Sequence, residues 1–230
     1  MSNKSFRVSM FALLAGMGVS SVAHAHEGDV GVLAFGGQLV TGAVEDLGAG
    51  DVVVPGERVF AAEFGIGPGV GDEPGFFMTE GTLPGGSSLG FNIRAALRRW
   101  DSGLSTGNFI ADETLTIESP SGTESATTPA ADLLVNGWSF TVPGSGDFDD
   151  HPNFYVNGRT TERVYILELE LKTDAGYANS APIWLVINDG ASEEDHDAAI
   201  EWVEENLVPA PGSAAMIGIG GLVLARRRRA

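Results

Sequence analysis

Apolar and polar residues alternate along the second half of Arg163 to Lys172, from Leu167 on. Tyr165, Leu167, Leu169 and Leu171 fall on one side, and Glu168, Glu170 and Lys172 on the other. A period of two predicts a strand with one buried and one wet face. Similar stretches recur. Residues 29–35 (DVGVLAF) lead through Gly36-Gly37 into GQLVT, the pattern of a hairpin. Further strands are predicted at 52–54 (VVV), 57–64 (ERVFAAEF), 89–93 (LGFNI), 114–118 (TLTIE) and 138–142 (WSFTV). The run 182–188 (PIWLVIN) is apolar nearly throughout, which suits a strand buried on both faces. Helical spacing is convincing once. Ser192 stands where a cap belongs, Glu193, Glu194 and Asp195 occupy the electropositive first turn, and Ala199, Trp202, Val203 and Leu207 form a stripe. A second short helix is predicted over 95–100, and residues 119–131 (SPSGTESATTPAA) read as a mobile loop.

Short strands between Gly/Pro-rich turns predict an all-β protein. The expected form is a single jelly-roll-like β-sandwich with one C-terminal amphipathic helix. The composition agrees, with 32 Gly and 11 Pro in 230 residues. No Cys is present, which removes disulfides, thiolate metal sites and cysteine nucleophiles. A net charge of −18 argues against nucleic acid, whose phosphates demand a basic face.

The two ends read as address labels. Lys4 and Arg7 precede an apolar run from Phe11 to Val22, and Ala23-His24-Ala25 is a small-x-small cleavage site. This is the pattern of a secretory signal peptide over 1–25, removed by signal peptidase to leave His26 as the amino terminus. At the other end, Val208-Pro209-Ala210-Pro211 stops the preceding helix. An uncharged, mostly apolar stretch from Gly212 to Ala225 follows, then Arg226, Arg227, Arg228 and Arg229. Fourteen helical residues reach about 21 Å, against a bilayer core of about 30 Å. The arginines would remain cytoplasmic.

Pro-x-Pro, a short Gly-rich apolar helix and a terminal arginine cluster together resemble a PEP-CTERM sorting signal. The usual central Glu of that signal is Ala210 here. The resemblance covers residues 208–230. It implies a short transmembrane sorting helix and processing by an exosortase-like membrane enzyme. It also implies transient residence in the inner membrane, then a place at the cell surface or in an exopolysaccharide matrix. The expected organisation is therefore signal peptide 1–25, secreted β-sandwich domain 26–207 and sorting tail 208–230. Both labels lack acids and hold six of the 13 basic residues, so residues 26–208 carry 7 basic against 31 acidic side chains, a net −24. Such a surface stays soluble and attracts cations.

Chemistry is sparse in the body. Gly86-Ser87-Ser88-Leu89-Gly90 matches G-x-S-x-G, but the turn Thr82-Leu83-Pro84-Gly85 stands where a nucleophile elbow needs a buried strand. Gly65 to Gly71 is glycine-rich, yet no Lys follows and Asp72-Glu73 would repel a phosphate. Metal binding is the sharper idea. In Cys-free, oxidising surroundings the ligands are N and O donors. His26 would offer a ring nitrogen beside a free amine, and His151 closes Gly146-Asp147-Phe148-Asp149-Asp150-His151, which reads as a dense polar loop. Asp29, Asp149 and Asp150 could add oxygens, and Asp147, Asp149 and Asp150 alone could hold Ca²⁺. His196, in Ser192-Glu193-Glu194-Asp195-His196-Asp197, reads as a surface helix residue.

His26…Asp29-Val30 before a G-x-L hairpin, with Asp149-x-His151-x-x-Phe154 ahead of Val164-Tyr165-Ile166-Leu167, is similar to choice-of-anchor M surface domains. Those carry an amino-terminal His-x-Asp and a later His-x-His, with Asp149 here in the place of a His. The resemblance implies metal capture at the cell surface. An amino-terminal His on a secreted β-sandwich is also similar to copper histidine-brace proteins.

Three readings stay open at this point. The first is a non-enzymatic surface or matrix protein, with Trp100, Trp138, Trp184 and Trp202 as candidate sugar platforms. The second is a metal-binding module using His26, Asp29, Asp149 and His151 to hold Zn²⁺, Cu²⁺ or Ca²⁺. The third is a copper-dependent or serine hydrolytic enzyme.

Overall fold

The computed structural model of the protein describes residues 28–48 and 50–209. The expected signal peptide, His26 and the apolar tail with its four arginines lie outside the described residues. Val208 and Pro209 are described, and Val208 packs partly buried beside the helix. No helix among the described residues is long and apolar enough to cross a membrane.

The described residues are mostly strand, with one helix. In chain order these are β1 (Val30–Phe35), β2 (Gln38–Asp46), β3 (Asp51–Pro55), β4 (Val59–Glu63), β5 (Val70–Gly71), β6 (Phe76–Met78), β7 (Ser88–Ile93) and β8 (Arg98–Asp101). Then come β9 (Thr106–Ile110), β10 (Thr114–Glu118), β11 (Ser125–Thr127), β12 (Val135–Thr141), β13 (Phe148–Asp150), β14 (Asn153–Asn157), β15 (Arg163–Thr173), β16 (Ile183–Asp189) and α1 (Glu193–Asn206). They form three sheets. One runs β13-β6-β1-β2-β3 and a second β11-β10-β14-β5. The third runs β12-β7-β15-β16-β4, with β8 and β9 added at β15.

The expected hairpin joins β1 to β2, with Phe35 opposite Gln38. Gly36 and Gly37 both have positive φ, +63° and +83°, as a two-residue primed turn requires. All three sheets send side chains into one core. Val30, Leu39 and Phe76 come from the first, Leu115, Ile117 and Phe154 from the second, and Phe91, Leu167 and Leu185 from the third.

The predicted alternation in β15 holds, with one extension. Tyr165, Leu167, Leu169 and Leu171 enter the main core, while Val164 and Ile166 on the opposite face are covered by α1. β16 is buried over all seven residues, as its continuous apolar run implies. The helix begins as its sequence predicts. Ser192 is extended (φ −70°, ψ 149°) and its hydroxyl accepts the Asp195 N–H. Ala199 and Val203 are fully buried on the sheet.

Four expectations need correction. Residues 95–100 are not helical, because Arg98 and Arg99 pair with Ile166 and Tyr165 of β15 as part of β8. Six residues repay little of a helix nucleus, whereas the ladder satisfies their backbone at once. The stretch 119–131 contains β11, paired to β10. The polar stretch ending at His151 is not a loop, since it forms β13 against β6. The four Trp are not sugar platforms: Trp100, Trp138 and Trp184 are buried and Trp202 packs against Trp100. Ser88 opens strand β7 and is followed by no helix, so the nucleophile-elbow context is missing around it.

Leu167 is fully buried where β15 meets the core. Leu167→Ala should destabilise the protein by about 2–5 kcal/mol, read as a lower urea midpoint at unchanged slope.

Candidate metal site

Register brings the candidate residues together. β6 lies between β1, to which it is parallel, and β13, to which it is antiparallel. Val30 stands beside Phe76, and Asp150 stands beside Phe76 from the other side. One step back along β6, Gly75 is therefore flanked by Asp29 and His151. Two hydrogen bonds fix the Asp29 side: the Val30 N–H donates to the Gly75 carbonyl (2.9 Å), and the Gly75 N–H donates to Asp29 Oδ1 (2.7 Å). Asp29 is only 1% exposed. A Cβ on Gly75 would lie 2.7 Å from His151 Nε2 and 2.9 Å from Asp29 Oδ1. Glycine is required here by close approach.

Strand alternation selects among the aspartates. Asp149 and His151 are two residues apart and share a face, while Asp150 turns to the other. Asp149 Oδ1 is 3.5 Å from His151 Nε2, and Asp29 Oδ2 is 3.9 Å from the same nitrogen. A calcium loop using Asp149 and Asp150 together is therefore not formed. The other ring nitrogen, Nδ1, is 3.1 Å from the Asp72 carbonyl and 3.5 Å from Glu73 Oε2. A carbonyl can only accept, so Nδ1 carries a proton. Nε2 is left with its lone pair, or a second proton, facing Asp29 and Asp149.

One donor atom each from Asp29, Glu73 and His151 lies within 4.8 Å of the other two. Two ligands about 2.1 Å from a tetrahedral ion stand roughly 3.4 Å apart. Asp29 and Asp149, at 3.9 and 3.5 Å from Nε2, therefore need little closure, while Glu73, whose 3.5 Å approach is to Nδ1, would have to turn toward Nε2 to join them. The Asp72 carbonyl behind Nδ1 is the kind of support that fixes a metal-binding imidazole's tautomer.

Electrostatics matches this geometry. Burial alone would lower the His151 pKa, but Asp29 and Glu73, the Asp72 carbonyl and Asp149 outweigh it, and the net shift is upward. Burial raises the Glu73 carboxyl, as do Asp29 and Asp72, against the pull of His151. Burial also raises Asp150, with Asp149 adding to it. Three carboxylates face a ring that carries at most one positive charge. The site therefore has an excess of negative charge that a divalent cation would neutralise.

Of the four residues expected from sequence, Asp29, Asp149 and His151 come together and His26 lies outside the described residues. Glu73 was not expected. It is one of 31 acids, in a segment with no periodicity, and only the pairing of the three-residue β6 brings it to the ring. His196 departs from its surface reading: it is 4% exposed, and its Nε2 lies 3.0 Å from the Val186 carbonyl. No known protein family, curated protein or solved structure matches the chain.

His151, Glu73 and Asp150 all hold protons more tightly in the folded protein than in the unfolded chain. The stability they contribute is complete below their unfolded values. It is lost as pH rises through the folded ones, the window opening above 3.8 for Asp150, 4.5 for Glu73 and 6.5 for the ring. Metal-free protein should therefore lose Tm as pH is raised across this range. In thermal melts His151→Ala should flatten the part above about pH 6.5.

Proposed function

We propose that this chain is an exported β-sandwich domain that binds a divalent metal ion at the cell surface. The observation that carries the reading is the convergence of Asp29, Glu73 and Asp149 on one His151 ring whose tautomer a backbone carbonyl fixes. One imidazole with several carboxylates suits Zn²⁺ and other borderline ions better than soft Cu⁺. His26, the expected mature amino terminus, is three residues from Asp29. That is about 10 Å of extended chain, short enough for its amine and ring to join the site.

The destination rests on the two ends, a signal peptide and a PEP-CTERM-like tail. Processing by signal peptidase and an exosortase-like enzyme would release the domain to the surface or an exopolysaccharide matrix. A jelly-roll-like sandwich is the architecture that three sheets around one core support best. The proposed role is binding; Ser88 opens β7 and its partner there is the Asp174 carboxylate.

The test is a Zn²⁺ titration by calorimetry at pH 7.5. His151→Ala should weaken binding at this site by roughly 100-fold or more. Gly75→Ala should also weaken it, because the new methyl group displaces the ring. The same methyl group would stand 2.9 Å from Oδ1 of the buried Asp29, so Gly75→Ala should lower Tm as well, whereas His151→Ala removes the partly exposed ring alone. Binding indifferent to both substitutions would refute the reading and leave a structural surface protein.

A further inference from the structure

A second set of ligands lies where the helix returns over the edge of the third sheet. β4 runs parallel to β16, with Glu63 at its last position beside Asn188. The chain leaves β16 after Asp189 and enters α1 at Glu193. Glu193 and His196 are three residues apart on that helix and therefore share a face. One donor atom each from Glu63, Glu193 and His196 lies within 4.8 Å of the other two. All three line a cavity of about 540 Å³ between β4 and α1.

The histidine supplies the independent observation. It is 4% exposed, too deep to be a solvated helix residue. Its Nε2 is 3.0 Å from the Val186 carbonyl, so that nitrogen must donate and carry hydrogen. Nδ1 is the remaining ring nitrogen, on a ring that lines the cavity beside the two carboxylates. A buried imidazole with one nitrogen anchored to a main-chain carbonyl and the other presented beside two carboxylates is prepared as a ligand. The two glutamates are exposed and can rotate to bring their oxygens from within 4.8 Å to ligand spacing. The helix N-terminus opposes a cation here. Glu193, Glu194 and Asp195 fill that first turn, and Asp197 and Glu73 also border the cavity, so negative charge prevails.

We propose that Glu63, Glu193 and His196 form a second divalent metal site, distinct from the one at His151 and taking a borderline ion such as Zn²⁺ or Co²⁺. Glu73 belongs to the first cluster and lines the cavity of the second, so the two ions would be bound at one surface opening. The site shares no ligand with the first and does not depend on it.

The experiment counts equivalents of Zn²⁺ bound by the purified full chain and follows the visible spectrum with Co²⁺. Wild type should bind two equivalents. His151→Ala should keep one, with an imidazole-ligated Co²⁺ spectrum. Glu193→Gln and Glu63→Gln, both at exposed positions, should each also keep one, and His151→Ala combined with Glu193→Gln should keep none. One equivalent in wild type that survives His151→Ala and is lost with Glu193→Gln would support this site and refute the first. Unchanged stoichiometry in both Glu63→Gln and Glu193→Gln, or complete loss of binding in His151→Ala alone, would overturn the proposal.

Discussion

The pairing of β15 with β16 is the constraint around which the protein is arranged. Seven residue pairs run antiparallel from Arg163–Asp189 to Leu169–Ile183, and nearly all of their side chains are buried. One face of the pair closes the main core and the other receives α1. β4 and β7 are fixed by hydrogen bonding to its two sides. Backbone groups this far from water must be satisfied within the ladder, so a slip of one residue would both break them and exchange core for solvent along the whole strand.

The candidate site depends on a smaller version of the same logic. β6 is three residues long, yet it joins β1 to β13 and sets the two neighbours of Gly75. The buried Asp29 carboxylate is compensated by the Gly75 N–H, and the absence of a Cβ there lets the His151 ring approach. Burying a carboxylate is costly unless it is hydrogen-bonded or paired. This one has both a backbone donor and an imidazole at hand, and its position is consistent with work other than solubility. The remaining excess of negative charge, part of the net −24 of residues 26–208, provides the background that draws cations to the surface.

Much of the scaffold was legible because it is written in local periodicity. The strand at Arg163 to Lys172, the Gly36-Gly37 turn and the Ser192 cap are each specified within a few residues. The misreadings share one cause. Residues 95–100 look helical and 119–131 look like loop, yet both contribute short strands, one paired to the distant β15 and the other folded back on the neighbouring β10. Short elements carry too little pattern to announce themselves, and their state is decided by the edge that accepts their hydrogen bonds. At the site, His151 was legible as one of only four histidines, and Asp29 and Asp149 only by their place beside sequence landmarks. Glu73 and the burial of His196 were not.

The sequence by itself determined the all-β class, the alternation of the long strands, the one capped helix, the absence of thiol chemistry and a strongly acidic body. These depend on composition and on spacing along the chain. The tertiary structure alone decided which acids meet which histidines. Asp29, Glu73 and His151 lie 44 to 122 residues apart in sequence, by their numbering, and are joined by the register of β6. Glu63 reaches His196 because a parallel pairing places the end of β4 beside the start of α1. Proximity across that separation follows from which edges pair and in which register, and no local pattern encodes it.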